Sequence, residues 1–149
     1  MGIDPRGPRF SAVITTVVLA VVLVTGSVWL LAVQAVVFAA GSVFGLRYSP
    51  YGLLYRWLVR PRLRPPAELE PEAPPRFAQG VGLVFAVVGL AGYAAGLTWL
   101  GATATAFALF AAFLNAVFGF CLGCEVYLLV RRTWPGRRTL ALADADPDD

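Results

Sequence analysis

The sequence predicts an all-α integral membrane protein. Four transmembrane helices form two hairpins, joined by a short interfacial helix and a Pro-rich linker. Three observations predict this. Hydrophobic residues make up 58% of the 149-residue chain and charged residues 14%, against roughly a quarter charged in a soluble domain. Mean hydropathy is +0.71, so a chain this apolar needs lipid as its solvent. All twelve basic residues are arginines, and they stand in groups that flank the apolar runs. That is the pattern of membrane orientation, not of a nucleic-acid groove, and the net charge of +3 does not argue for a nucleic-acid partner.

Residues 1–9 carry Asp4, Arg6, Arg9 and two prolines. Apolar residues then run from Phe10 to Leu46. As one helix this run would span about 55 Å, too long for a hydrocarbon core of ~30 Å, so it must fold back. Gly26-Ser27 is the best break, with Gly permitting the turn and Ser27 capping the next helix. The spans are read as about 9–25 and 28–46. A secretory signal is the rival reading, but the apolar run continues past the small residues that would be cleaved.

Ser49-Pro50 opens a helix over about 50–60, with Ser as N-cap and Pro in the first turn. Tyr51, Tyr55, Arg56, Trp57 and Arg60 suit the headgroup layer, so this helix is read as an interfacial anchor. The linker 61–75 holds six prolines, which favour an extended path. Its glutamates, Glu68, Glu70 and Glu72, are read as solvated.

A third span covers about 77–97. Gly82, Ala86, Gly89, Gly92 and Gly96 fall on one face of it. Small residues are how helices approach closely in lipid, so this seam is expected to pack helices together or to form a dimer face. A fourth helix is read over about 103–131, longer than one membrane thickness and stopped at Trp134-Pro135-Gly136. The whole of 1–133 is thus one transmembrane domain, followed by a disordered tail over 134–149. Four spans put both termini and the middle loop, which hold all the arginines, on the cytoplasmic face of the plasma membrane.

The candidate chemistry lies at Cys121-Leu-Gly-Cys124, which holds the only two cysteines, and at the adjacent Glu125. With no histidine in the chain, imidazole catalysis and imidazole metal ligation are excluded. No cofactor motif is present. Four readings of the pair stand open. The first is packing, since free Cys behaves as a small hydrophobe. The second is a reversible dithiol or sulfur relay, since residues three apart on a helix are within disulfide range and Glu125 could accept a proton or tune the charge. The third is a metal site, incomplete with two thiolates and one carboxylate unless a homodimer completes it. The fourth is a purely conformational role. Lying toward the end of a long helix, the pair would feel a dipole that disfavours thiolate. Gln34 and Asn115 lie deeper, where interhelical hydrogen bonding is their ordinary role.

Ile3-Asp-Pro-Arg6 with Pro8-Arg9-Phe10, Tyr48-Ser-Pro-Tyr51, Pro75-Arg-Phe-Ala78, and Asn115 with Phe120-Cys-Leu-Gly-Cys-Glu-Val-Tyr127 together resemble the bacterial membrane family catalogued as domain of unknown function 4395, over about residues 3–132. The resemblance implies an actinobacterial-type membrane protein with no assigned activity. It also implies an association with thioredoxin-like and sulfurtransferase proteins, and hence with sulfur metabolism. The leading expectation is therefore a membrane component of thiol redox or sulfur handling at the cytoplasmic face, working with a soluble partner on the arginine-rich side. The alternative is a non-enzymatic membrane scaffold whose cysteines pack.

Overall fold

A computed structural model describes residues 2–133. The tail over 134–149 and the stop at Trp134-Pro135-Gly136 lie outside the described residues. The chain is all-helical apart from a minimal antiparallel pairing of β1 (Gly2–Ile3) with β2 (Glu70–Pro71). Its long helices are α1 (Arg6–Thr25), α2 (Val28–Val43), α4 (Ala73–Ala94) and α5 (Thr98–Phe118). A short α3 (Pro50–Leu54) continues into a π-helical turn over Tyr55–Val59 and a 3-10 turn over Arg60–Arg62, and α6 runs over Leu122–Thr133.

Local chemistry accounts for the breaks. At Gly26 the backbone is left-handed, and the Ser27 side chain accepts a hydrogen bond from Leu30 N–H at 3.3 Å to start α2. Ser49 is the extended residue before α3, and Pro50 occupies its first turn. The π turn arises where Arg60 N–H reaches back to the Tyr55 carbonyl. Pro61, with no N–H to donate, keeps that helix from continuing.

Helix α1 packs on α5 and α2, while α4 packs on α2, α5 and α6. The core between them holds Leu19, Val22, Leu31, Ala35, Phe38, Ala86 and Ala108. The small-residue seam of α4 serves both neighbours within the chain. A side chain at Gly82 would meet the Phe38 ring of α2 at 2.9 Å, and one at Gly92 would meet the Gly101 amide of α5 at 2.6 Å. Ala86 is buried, and a Cβ at Gly89 would face both Leu31 and Thr105. Gly96 does not belong to this seam. It lies in the α4–α5 turn with φ +78 and nothing near it, because the helix has already ended at Ala94.

Three helices are long and apolar enough to cross a membrane: Arg6–Thr25, Ala73–Ala94 and Thr98–Phe118. Val28–Val43 is apolar but shorter. It stops before the expected residue 46 because Gly45 turns left-handed, with φ +93. The outward faces carry large apolar side chains, among them Val24, Trp29, Val36 and Phe107. Together these features mark a membrane protein.

The expected fourth helix is not continuous. Gly119, at φ +66, caps α5, and its N–H bonds back to the Asn115 carbonyl at 3.1 Å. The Phe120 N–H reaches the Leu114 carbonyl at 3.3 Å. This left-handed cap ends one helix and allows α6 to begin in a new direction.

The two halves of the chain repeat one another. Arg9, on α1, donates to the last carbonyls of α5, Ala116 at 3.1 Å and Val117 at 3.0 Å. Arg76, on α4, donates to the last carbonyls of α2, Ser42 at 3.1 Å and Val43 at 2.8 Å. Phe10 packs on Tyr55 at 5.7 Å between ring centroids, and Phe77 packs on Tyr127 at 5.6 Å, with nearly equal tilts of 49° and 48°. Left-handed glycines mark matching bends at Gly26 and Gly96 and again at Gly45 and Gly119. Each half is thus a helix pair followed by a short helix that folds back on the first.

Candidate functional site

The second of these corners carries the cysteines. Cys121 is the residue just before α6, and its carbonyl accepts the first helical bond, from Glu125 N–H at 3.0 Å. Cys124 sits in the first turn. The pair is joined as a disulfide with Cα atoms 5.1 Å apart, and both residues are partly accessible. The Cys124 N–H points at the Cys121 sulfur at 3.2 Å.

This placement corrects the electrostatic expectation. The pair lies at the start of a short helix, not toward the end of a long one. Unpaired N–H groups at a helix start carry partial positive charge. The setting therefore favours a thiolate on reduction and does not oppose it. Arg131 and Arg132 lie in the last turn of α6, where they complement the other end of its dipole. Gly123 is required for a packing reason. A Cβ there would lie 2.6 Å from that of Ala78 on α4, so the helix start presses directly onto α4.

Glu125 is exposed on the first turn of α6, and among the described residues it makes no ion pair. Asn115 lies one turn before the end of α5. A cavity of about 640 Å³ opens beside the cysteines, between α1, α4, α5 and α6. Asn115 lines it near the cysteine end, Gln79 lines it with its carboxamide against Gly41 of α2, and Phe85, Phe107 and Ala108 line it farther along α4 and α5. No cluster of metal-ligating residues occurs among the described residues.

The proposed interfacial anchors divide. Arg56, Trp57 and Arg60 face outward. Tyr51 and Tyr55 turn inward, because the helix packs one face on α1. The Tyr51 hydroxyl donates to Gln34 Oε1 at 2.7 Å, and the Gln34 amide reaches the Thr15 hydroxyl at 3.5 Å. Tyr55 is buried, and its hydroxyl donates to Asp4 Oδ2 at 2.9 Å. Burial works to raise the Asp4 carboxyl, but hydrogen bonds from Arg6 and Tyr55 outweigh it and hold it below the ordinary carboxylate value. Burial, then donation to Asp4, pushes the Tyr55 phenol up.

Sequence reasoning did not find Asp4, Arg9 or Arg76 as structural keys. The available signal was the twice-occurring Pro-Arg-Phe, at Pro8-Arg9-Phe10 and Pro75-Arg76-Phe77. The two corners also align. Ser49 stands six residues before Tyr55, as Cys121 stands six before Tyr127. Both Ser49 and Cys121 open the folded-back helix.

A family model described as "Domain of unknown function (DUF4395)" matches residues 3–132. No curated protein and no solved structure matches the chain. The chain belongs to this family of unknown function.

Proposed function

We propose that this member of the family is a membrane component of thiol redox or sulfur handling, working through a reversible Cys121–Cys124 pair. One observation carries the reading. The pair closes within bonding reach at a helix start, where Cys121 receives the Cys124 N–H at 3.2 Å. In the dithiol state, Cys121 is the attacking thiol and Cys124 resolves the mixed disulfide. The partner's disulfide takes up the two electrons and is released as a dithiol. Glu125, exposed beside the pair, is the group placed to accept a thiol proton. In the sulfur-relay form of the same site, the Cys121 thiolate takes the outer sulfur of a sulfurtransferase's persulfide, whose own thiolate is the leaving group.

In this reading α1, α2, α4 and α5 all cross the membrane. The positive-inside rule then puts the arginine groups, both termini and the 44–72 connection in the cytoplasm of a bacterial plasma membrane. Arg9 and Arg76 support a common level for that face, since each caps the end of a neighbouring helix there. The pair lines the same cavity as Arg9, which this reading puts at the edge of the bilayer, within reach of a soluble thioredoxin-like or sulfurtransferase partner docked on the arginine-rich side. The second reading is a scaffold whose cysteines only pack. The tight seat of Gly123 on Ala78 favours it.

Thiol labelling in oriented membranes separates the two. A membrane-impermeant maleimide is applied from each side, before and after mild oxidation and reduction. The redox reading expects labelling from the cytoplasmic side, lost on oxidation and restored by reductant. Thiols that stay unlabelled until denaturation, together with a Cys121→Ser/Cys124→Ser chain that behaves as wild type in cells, would favour the scaffold.

A further inference from the structure

We propose that the cavity beside the Cys121–Cys124 pair binds a quinone, and that the reduced pair passes its electrons to it. This rests on the reversible pair of the redox reading above, run in the opposite direction: a partner's dithiol reduces the Cys121–Cys124 disulfide and leaves as a disulfide, and the quinone is the final acceptor of those two electrons. The cavity, about 640 Å³, falls within the ~300–1,000 Å³ of small-molecule sites. It runs along α5 from Gly119 at the cysteine end to Phe107, a depth of about 18 Å, well into the apolar layer of a membrane-embedded bundle.

Its polarity is graded. The walls away from the cysteines are apolar, at the buried Phe38, at Phe85 and at Phe107, where the cavity meets the outward face. Two carboxamides line it, Asn115 one turn before Gly119 at the cysteine end and Gln79, whose oxygen lies against Gly41 of α2. Gln34, deeper in the bundle, is committed to Thr15 and Tyr51. Among the described residues, the side chains of Gln79 and Asn115 make no hydrogen bond. Carboxamide N–H groups suit carbonyl oxygens. The cavity thus matches a ligand with a neutral, carbonyl-bearing head and a long apolar remainder.

A phospholipid would fit the apolar walls but not the head. The two cations that line it are already engaged, Arg6 with the Asp4 carboxylate and Arg9, through Nε and Nη2, with the Ala116 and Val117 carbonyls. The disulfide in the same wall adds a chemical requirement, a lipid-soluble acceptor of two electrons. A quinone meets both. The step balances with the quinone alone. The Cys121 and Cys124 S–H bonds break and the S–S bond forms. The two electrons and two protons released convert the two quinone carbonyls to the hydroxyls of a quinol.

The test uses the full chain in lipid nanodiscs, reduced, freed of reductant and kept anaerobic. Decyl-ubiquinone is the probe, because its fully substituted ring does not alkylate thiols. Absorbance follows quinol formation, and maleimide mass tagging counts thiols. One quinol should appear for each disulfide formed, and Cys121→Ser/Cys124→Ser protein should give neither. Asn115→Leu, nearly isosteric, should raise the half-saturating quinone concentration about tenfold, the equivalent of one hydrogen bond. Ala111→Phe should raise it too by filling the cavity, while Val21→Phe on the outer face of α1 should not.

Diamide, a water-soluble oxidant, separates the two proposals. A pair that diamide oxidises but quinone does not overturns this inference and leaves the redox function standing. A pair that neither oxidises sinks both. Quinone oxidation unaffected by Asn115→Leu and by Ala111→Phe would show that this cavity is not the site.

Discussion

The backbone amide of Cys124 points at the sulfur of Cys121 from 3.2 Å. The two cysteines are therefore unequal, although they share a helix turn. Only Cys121 receives a donor from the helix start, and an N-terminal dipole interaction is worth about 1 kcal/mol at most on a surface. Cys121 in a Cys124→Ser chain should alkylate with iodoacetamide roughly fivefold faster at neutral pH than Cys124 in a Cys121→Ser chain. Equal rates would remove the assignment of Cys121 as the attacking thiol.

Asp4 gathers the Arg6 guanidinium, the Arg6 amide and the Tyr55 hydroxyl. Asp4→Ala leaves the buried Tyr55 hydroxyl without its acceptor and should cost about 1–3 kcal/mol, read as a lower melting temperature in detergent. The folded Asp4 carboxyl lies below its ordinary value. Its contribution is thus fully present above about pH 4 and is lost as pH falls through the lowered folded value. The raised Tyr55 phenol has the opposite sense. Its contribution is present below about pH 10 and is lost as pH rises through the raised folded value. Melting temperature should be flat between these limits, and Asp4→Asn should remove much of the acid-side fall.

Arg76 holds α2, the shortest of the four long helices, by its last two carbonyls. Arg76→Ala should destabilise the fold by about 1–3 kcal/mol, since hydrogen bonds from charged donors are the stronger kind. Lysine, a point charge without the guanidinium fork, should recover only part of this. A melting temperature equal to wild type would show the cap to be dispensable.

Gly119 takes φ +66 where α5 gives way to α6. Gly119→Ala should cost about 1–2 kcal/mol for the left-handed backbone, and Gly119→Asn less. If the break presents the thiols, the alanine chain should also slow maleimide labelling of reduced protein. Gly92→Leu tests the seam separately. A side chain there runs into the Gly101 amide, so this chain should fail to give monodisperse protein.

Much of the fold was legible in the sequence. The length of the first apolar run demanded a turn, and Gly26-Ser27 supplied it with a working cap. The Ser49-Pro50 start and most of the α4 seam were equally plain, because they rest on local backbone chemistry. The Gly119 break was not. A single Gly in an apolar run reads as tolerable, and only the excess length of the supposed fourth helix hinted at it. Missing that break reversed the electrostatics assigned to Cys121 and Cys124, although the residues themselves were identified. The inward turn of Tyr51 and Tyr55 was hidden for another reason. Tyrosines at a bilayer edge suit both headgroups and buried acceptors, and the acceptors lie far off in sequence, Gln34 17 positions from Tyr51 and Asp4 51 positions from Tyr55.

Gly52 holds in the first corner the place that Cys124 holds in the second, three residues after the opening Ser49. A side chain at Gly52 would collide with the Leu46 carbonyl, so the first corner has no room for a second thiol. The first corner is held by the Tyr55 hydroxyl on Asp4, whereas the second, which carries the cysteine pair, is held by Gly123 on Ala78 and by Tyr127 on Phe77. The thiol-free corner is a matched blank within the same molecule for any measurement made on the cysteine-bearing one.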